Sequence, residues 1–486
     1  MRTVLNLIGG EERPSASGAV LEVMEPATGA VWGTCPASGA ADVEAAVAAA
    51  RKAFPQWQAT PAAERAALLR RLADLVDASL GELAAAESAD TGKPIALARN
   101  LDVPRASSNL RFFADLVEGW REQRYTMSTP DGGSAQSVVQ RPPGGVAACI
   151  SPWNLPIYLF TWKVAPALAA GCTVVGKPSE VTPVSAWMLG RLATQAGFPP
   201  GVLNIIHGRG AEAGAALVSH PDVHAVTFTG GTATGAAIAA AAAPRFRRLS
   251  LELGGKNPAI VLDDADLELA VPGALRSAFL NQGQICLCGS RILVQERIAE
   301  RFTAMLVERV SALRQGDPSL AETEQGAVSS AAHLAKIEAA VARARRDGGR
   351  ILCGGGRPEG LPARCRHGWF HQPTLIDGLG PQCDANQEEI FGPVATIQVF
   401  REEEEAVALA NGVRYGLAAS VWTGRSARAE RVAAQLQAGT VWVNCWLVRD
   451  LRVPFGGWKD SGVGREGGED ALRFFTESRT VCTVSR

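Results

Sequence analysis

The sequence predicts an α/β protein built on a parallel, doubly wound sheet. Two observations point to it. Short apolar runs recur at 146–150, 173–176, 202–206 and 225–228, each bounded by turn residues. Stretches of helical period, such as 165–170, lie between them. Strand, turn and helix in that repeating order call for parallel strands with helices covering both faces. The chain has 486 residues, of which 47% are hydrophobic and 20% charged, enough for a deep core. That length suggests roughly two to four domains.

The elements follow in order. Residues 40–90 are Ala-rich, with apolar positions three and four apart and Arg and Glu on the other face, which predicts helices. Asp90-Thr91-Gly92-Lys93-Pro94 ends that pattern, and a further helix is expected after Pro104. Pro130-Asp131-Gly132-Gly133 reads as a turn and 134–140 as an extended polar strand. A polar strand pair is poor core and suits an arm that reaches a neighbouring subunit. The alternating stretch 480–484 could pair with it. A second α/β segment runs from about 257 to 455, with strands expected at 259–262 and 441–443. The acidic run 402–405 reads as a solvated helix start.

Composition excludes several classes. Lys and Arg total 48 against 49 Asp and Glu, so the net charge of −1 argues against nucleic-acid binding. Ten irregularly spaced Cys do not form a disulfide framework. No apolar run approaches the roughly 18 residues that a membrane helix needs. The N-terminal apolar stretch is too short for a secretory signal, so a cytoplasmic address is expected. Lys is scarce, seven residues against 41 Arg, which makes a Lys inside a motif more informative.

Five motifs carry chemistry. In Phe228-Thr229-Gly230-Gly231-Thr232-Ala233-Thr234-Gly235 a strand ends, glycines turn the chain and a helix begins. Amides at such a helix start favour an anion such as a pyrophosphate, although the spacing is not the usual G-x-G-x-x-G. In Lys177-Pro178-Ser179-Glu180 a carboxylate past a strand can accept ribose hydroxyls and would repel a phosphate there, favouring NAD over NADP. Alone, the run also reads as a surface turn. In Gly283-Gln284-Ile285-Cys286-Leu287-Cys288, Cys286 stands at the entry to an expected helix or turn, where a helix N-terminus would lower its thiol pKa. Most lone cysteines are inert, and no second Cys/His pair lies nearby, so no metal site is expected. In Leu251-Glu252-Leu253-Gly254-Gly255-Lys256 an acid in an apolar strand should be desolvated and suited to general-base work, unless it faces water from an edge strand. In Pro152-Trp153-Asn154 a rigid side-chain amide can stabilise an oxyanion, or make ordinary turn contacts.

Together with Glu389-Ile390-Phe391-Gly392-Pro393 and Pro454-Phe455-Gly456-Gly457, these motifs resemble, in order and nearly end to end, the NAD(P)-dependent aldehyde dehydrogenase superfamily. The resemblance implies the aldehyde dehydrogenase fold: a Rossmann-like cofactor domain (1–125 and 145–254), an α/β catalytic domain (255–455) and a β-strand oligomerisation arm (126–144 and 470–486). It implies a homodimer or homotetramer acting on a small-molecule aldehyde with NAD, with no metal. Cys286 would be the nucleophile, Glu252 the base for water, and Asn154 with the Cys286 amide the oxyanion donors. Trp153, Lys177, Ser179, Glu180, Gly230, Gly231, Glu389 and Phe391 would hold the cofactor. Family members commonly carry Ser where Gly231 stands, which removes a possible hydroxyl donor.

The runs Asp102-Val103-Pro104-Arg105, Cys445-Trp446-Leu447-Val448-Arg449-Asp450-Leu451-Arg452 and Gly464-Arg465-Glu466-Gly467-Gly468 resemble the branch of 2-aminomuconate and 2-hydroxymuconate semialdehyde dehydrogenases. That branch oxidises an unsaturated six-carbon semialdehyde to a dicarboxylate, in kynurenine or aromatic catabolism. Ile285-Cys286-Leu287-Cys288 favours the aminomuconate side. The resemblance assigns the grip on the substrate carboxylate to Arg105 and Arg452, since guanidinium binds carboxylate in bidentate fashion. A general betaine-aldehyde type of activity is the further alternative. Cys288, two residues from the nucleophile, could trap an oxidised Cys286.

Overall fold

The computed structural model describes residues 2–485. Five parallel strands form the centre of one sheet: Val146–Ile150, Thr173–Lys177, Leu203–Ile205, Val223–Thr229 and Arg248–Glu252. The first lies in the middle, the second and third run out to one side, and the fourth and fifth to the other. Continuous Val, Ile and Ala suit these strands because helices cover both faces. On one face pack Pro156–Ala170 and Val184–Gln195, bringing Phe160, Trp162 and Leu189 against Cys149 and Val174. On the other, Val43 and Val47 of Ala40–Ala59 and Ile238 of Thr232–Ala242 meet Ile150, Val175 and Phe228.

Winding direction reverses between Val146–Ile150 and Val223–Thr229. The loops leaving two such strands diverge and open a crevice at their carboxyl ends. One loop carries Trp153 and Asn154, and the other Gly230 and Gly231.

The edges of this sheet are antiparallel, which the repeating pattern does not reveal. Asn6–Ile8 pairs with Leu203–Ile205, Glu11–Arg13 pairs with Asn6–Ile8, and Gly462–Val463 pairs with Arg248–Glu252. That last pairing lays a C-terminal segment along the strand that carries Glu252.

The second sheet has six parallel strands, in the spatial order Thr374–Asp377, Val394–Phe400, Arg291–Gln295, Pro258–Val261, Ala418–Trp422 and Thr440–Val443. Arg350–Cys353 closes one edge antiparallel. Glu403–Asn411 is the helix that begins in the acidic run.

A separate three-stranded antiparallel sheet joins Gln123–Ser128, Ser134–Gln140 and Arg479–Ser485. Its first strand starts three residues before the arm boundary expected at 126. The helix Gly468–Phe475 is not part of the arm: Ala471, Leu472 and Phe475 pack into the core of the first sheet. Its apolar face, hidden within a short C-terminal run, draws it inward. The helix near Pro104 begins at Val103, with proline in the first turn where its missing N–H is harmless. Among the described residues no helix is long and apolar enough to cross a membrane.

Candidate active site

Where the two sheets face one another, a cavity of about 230 Å³ is lined by Trp153, Asn154, Thr229, Gly230, Gly231, Gly254, Cys286, His333, Glu389 and Phe391. Residues from the switch-point loops thus meet the loop of Cys286.

That loop is held in an uncommon conformation. Asn281, Gln282 and Gly283 have φ of 54°, 55° and 67°, the left-handed region. Non-glycine residues persist there only when their surroundings hold them. Asn281 Nδ2 donates to the carbonyls of Asn154 at 3.1 Å and Gln284 at 3.2 Å, and the Gln284 side chain accepts from the Ser329 amide at 3.1 Å. A Cβ at Gly283 would stand 2.1 Å from the Gly392 carbonyl oxygen, so only glycine lets the two loops approach.

Cys286 then sits within a turn closed by the Cys288 amide on the Ile285 carbonyl, 2.9 Å, and not at a helix N-terminus. This corrects the expected activation of its thiol. Burial raises the thiol pKa, Glu389 and Glu252 add to it, and Arg449 opposes them. The sulfur must therefore lose a proton before it can attack. Cys288 is packed among Leu155, Tyr158 and Leu159, and burial pushes its thiol up to about 12.

Asn154 Nδ2 donates to the Gln284 carbonyl at 2.8 Å, which fixes the amide against the Cys286 loop. Glu252 is buried, and neither carboxyl oxygen has a partner among the described residues. Burial raises its pKa well above the usual carboxylate range, and Glu466 raises it further. Lys163, Arg449 and Arg465 work the other way. Lys163 Nζ donates to Glu466 Oε1 at 2.7 Å and to Thr227 Oγ1 at 3.0 Å. Sequence reasoning missed this pair. Its signal was a lone Lys in an otherwise apolar helix, in a chain with seven Lys.

The expected cofactor residues fall into two groups. Near Cys286, the Glu389 carboxylate accepts from the Gly255 amide at 3.0 Å, and burial pushes its pKa to about 7. Trp153 meets Phe391 edge-on, with centroids 5.2 Å apart. His333, also missed, packs on Trp153 at 5.1 Å, and its Nε2 lies 2.7 Å from the Phe391 carbonyl oxygen. Farther along the crevice, Lys177 Nζ donates to Glu180 at 3.2 Å, and the Gly210 amide donates to Glu180 Oε1 at 3.2 Å. Burial would raise Glu180, but Lys177 and these amides outweigh it and hold the carboxyl low. Ser179 Oγ accepts from the Val181 amide at 3.2 Å and so serves a local turn. Gly230 donates its amide to the Glu252 carbonyl at 3.0 Å, and a Cβ at Gly231 would meet nothing within 4 Å.

A second, mainly apolar cleft of about 460 Å³ lies against Ile150, Gly210, Gly214, Phe228, Ala237 and Ile238. Gly210, in its wall, is the residue whose amide bonds Glu180. Its glycines come from the π-helical turn Gly210–Gly214, a segment too short to show in the sequence pattern.

The arginines are the main correction. Arg452 turns into solvent and binds Asp450 in bidentate fashion, with its side chain 81% exposed. The Arg452 amide also donates to Asp450 at 2.9 Å, so the residue folds back on its own turn. Arg449 takes the inner position: its Nη1 lies 3.2 Å from the Tyr158 hydroxyl and its guanidinium 3.8 Å from the Phe455 ring centroid. Arg105 lies over the same Tyr158, 5.7 Å from the ring centroid. The structure therefore brings Arg105 and Arg449 together, and leaves Arg452 outside.

The aldehyde dehydrogenase family model matches residues 13–481. The chain is 49% identical to 2-aminomuconic semialdehyde dehydrogenase of Bos taurus over 477 residues, covering 98% of this chain and 97% of that one. It is 46% identical to 2-hydroxymuconic semialdehyde dehydrogenase of Pseudomonas sp. (strain CF600) over 484 residues, 99% of each. Among solved structures, it matches a betaine aldehyde dehydrogenase point mutant from Staphylococcus aureus in complex with NAD+, with a TM-score of 0.95 and 38% identity. That match covers 99% of this chain and 97% of the other.

Gly283→Ala tests the loop geometry. The added methyl must push the Cys286 loop off Gly392, so kcat should fall about a hundredfold while NAD binding changes little. Steady-state kinetics with a fluorescence titration of the cofactor reads both, and a parent-like kcat contradicts the account.

Proposed function

The chain belongs to the aldehyde dehydrogenase family, and from that membership we propose that it oxidises a carboxylate-bearing semialdehyde with NAD, 2-aminomuconate 6-semialdehyde before all others. The observation that carries the reading is the single cavity shared by Cys286, Asn154, Glu389 and Phe391, beside the paired Arg105 and Arg449. The hydroxymuconate relative, at nearly the same identity, supports 2-hydroxymuconate semialdehyde as the second reading.

NAD suits the crevice. The apolar cleft would take its adenine, Glu180 and Lys177 would hold its adenosine ribose, and the start of helix Thr232–Ala242 would face its pyrophosphate. Glu389, Trp153 and Phe391 would hold its nicotinamide end. Gly231 offers the pyrophosphate only its backbone, and Ser179 holds its turn without adding a contact.

The chemistry starts at sulfur. The Cys286 thiol releases its proton to solvent, and the thiolate attacks the aldehyde carbon. The second N–H of the Asn154 amide, the first being fixed on Gln284, holds the developing oxyanion with the Cys286 amide. Bound NAD supplies the hydride acceptor that turns the adduct into a thioester. Glu252 then draws a proton from water, and the resulting attack releases the carboxylate and restores the sulfur. Glu466 and Lys163 set the strength of that base from behind. The guanidinium groups of Arg105 and Arg449 grip the acid end of the substrate, with Tyr158 between them.

The arm supports a homodimer or homotetramer. It leaves Tyr125, Met127 and Val484 exposed on one face, an apolar patch that a second copy would cover.

Two experiments test these roles. Arg449→Ala and Arg105→Ala should each raise KM about tenfold or more for the acid-bearing semialdehyde and change it little for a neutral aldehyde. Arg452→Ala should leave both nearly unchanged. Arg449 also lowers the pKa of Glu252 and of Cys286. Its removal raises both, so the acid limb of kcat against pH moves to higher pH in Arg449→Ala. No shift, or a shift to lower pH, contradicts its place beside the base. Separately, Gly231→Ser has room for its hydroxyl and should tighten NAD about two- to tenfold by calorimetry.

A further inference from the structure

Three ionisable groups with no role in the chemistry above lie together under the Asn154 loop. The side chains of Glu87, Lys93 and Asp102 are all fully buried. Lys93 Nζ is bonded to Asp102 and stands 3.9 Å from Glu87. Burying charge is expensive, and apolar packing would fill the same space more cheaply. What the three groups touch is specific. Lys93 donates to the Asn154 carbonyl at 2.9 Å, and Glu87 Oε1 accepts from the Ile157 amide at 3.0 Å. The main chain is gripped on both sides of the loop that carries the Asn154 side chain.

Charge balance fits a fixed device. One ammonium faces two carboxyls, and Glu87 Oε2 and Asp102 Oδ1 each lack a partner among the described residues. Burial raises both Glu87 and Asp102, and Lys93 opposes both.

Asp102 ends the π-helical turn Ala98–Asp102, and Arg105 follows three residues later in helix Val103–Gly119. Such turns recur at functional sites because they re-aim side chains. The cluster therefore connects the segment that presents Arg105 to the loop that presents Asn154.

We propose that Lys93, held by Asp102 and Glu87, is the positioning residue for the Asn154 amide, and that Asp102 links the seating of Arg105 to it. This rests on the reading of Asn154 as the oxyanion donor. Lys93 touches no reacting atom. It fixes the peptide whose side chain does.

The test is the transient NADH burst of the full-length enzyme at saturating NAD, with an acid-bearing aldehyde and a neutral one of similar length. Lys93→Met combined with Asp102→Asn removes the ammonium and a carboxylate together, so no unpaired charge is stranded. The burst rate should fall about ten- to a hundredfold on both aldehydes, with the Kd for NAD unchanged. In an Asn154→Ala background the same pair should lower the burst by less than about twofold more, because Lys93 acts through that side chain. Asp102→Asn alone leaves Lys93 on Glu87 and on the Asn154 carbonyl. It should raise KM for the acid-bearing aldehyde about tenfold and leave the neutral one within about threefold.

A parent-like burst in the paired variant, or losses that add fully to those of Asn154→Ala, overturns the proposal. If the paired variant does not fold, Asp102→Asn decides, and equal effects on the two aldehydes overturn it. Asn154→Ala separates the two readings. If it keeps the parent burst, the oxyanion assignment fails and takes this proposal with it. If it loses the burst while the Lys93 variant keeps it, the positioning role alone fails.

Discussion

The bond from Asn154 Nδ2 to the Gln284 carbonyl, 2.8 Å long, is the joint of the molecule. One end belongs to the loop after the central strand of the first sheet. The other belongs to the loop that presents Cys286 to the second. Nothing covalent near the site fixes the two relative to one another, so the spacing of sulfur and amide depends on this contact and its supports. Asn281 donates to both carbonyls, and Lys93 to one. Three successive left-handed residues are the local strain that this geometry carries.

The same arrangement accounts for the electrostatics. Closing two sheets over the site removes water, and burial is the largest cause raising the Cys286 thiol, Glu252 and Glu389. Cations around it, Lys163, Arg449 and Arg465, then moderate the base without pairing with it directly. A guanidinium that also meets the substrate acid would couple substrate binding to the proton affinity of Glu252.

Much of this was written plainly in the chain. The central strands are runs of Val, Ile and Ala because both their faces are covered, and that pattern survives in one dimension. Glu252 could be read as desolvated because its neighbours Leu251 and Leu253 are apolar. What could not be read depends on distance in sequence. Lys163 and Glu466 lie 303 residues apart, and neither signals the other. In Arg449-Asp450-Leu451-Arg452 either arginine could point inward, and the choice turns on Asp450 capturing Arg452. Of the helix or turn expected at Cys286, the segment closes as the turn, so the helix N-terminus that would have lowered its thiol pKa is missing. The cleft against Phe228 and Gly214 rests on a π-helical turn that no periodicity announces.

Direct trapping of the sulfur adduct gives the sharpest check. Glu252→Gln enzyme, mixed with NAD and an acid-bearing aldehyde and quenched in acid, should carry the substrate acyl group on the peptide containing Cys286 when examined by mass spectrometry. The increment should sit on Cys286, with Cys288 unmodified. An unmodified Cys286 in enzyme that has formed one equivalent of NADH, or an acyl group on another residue, contradicts the account.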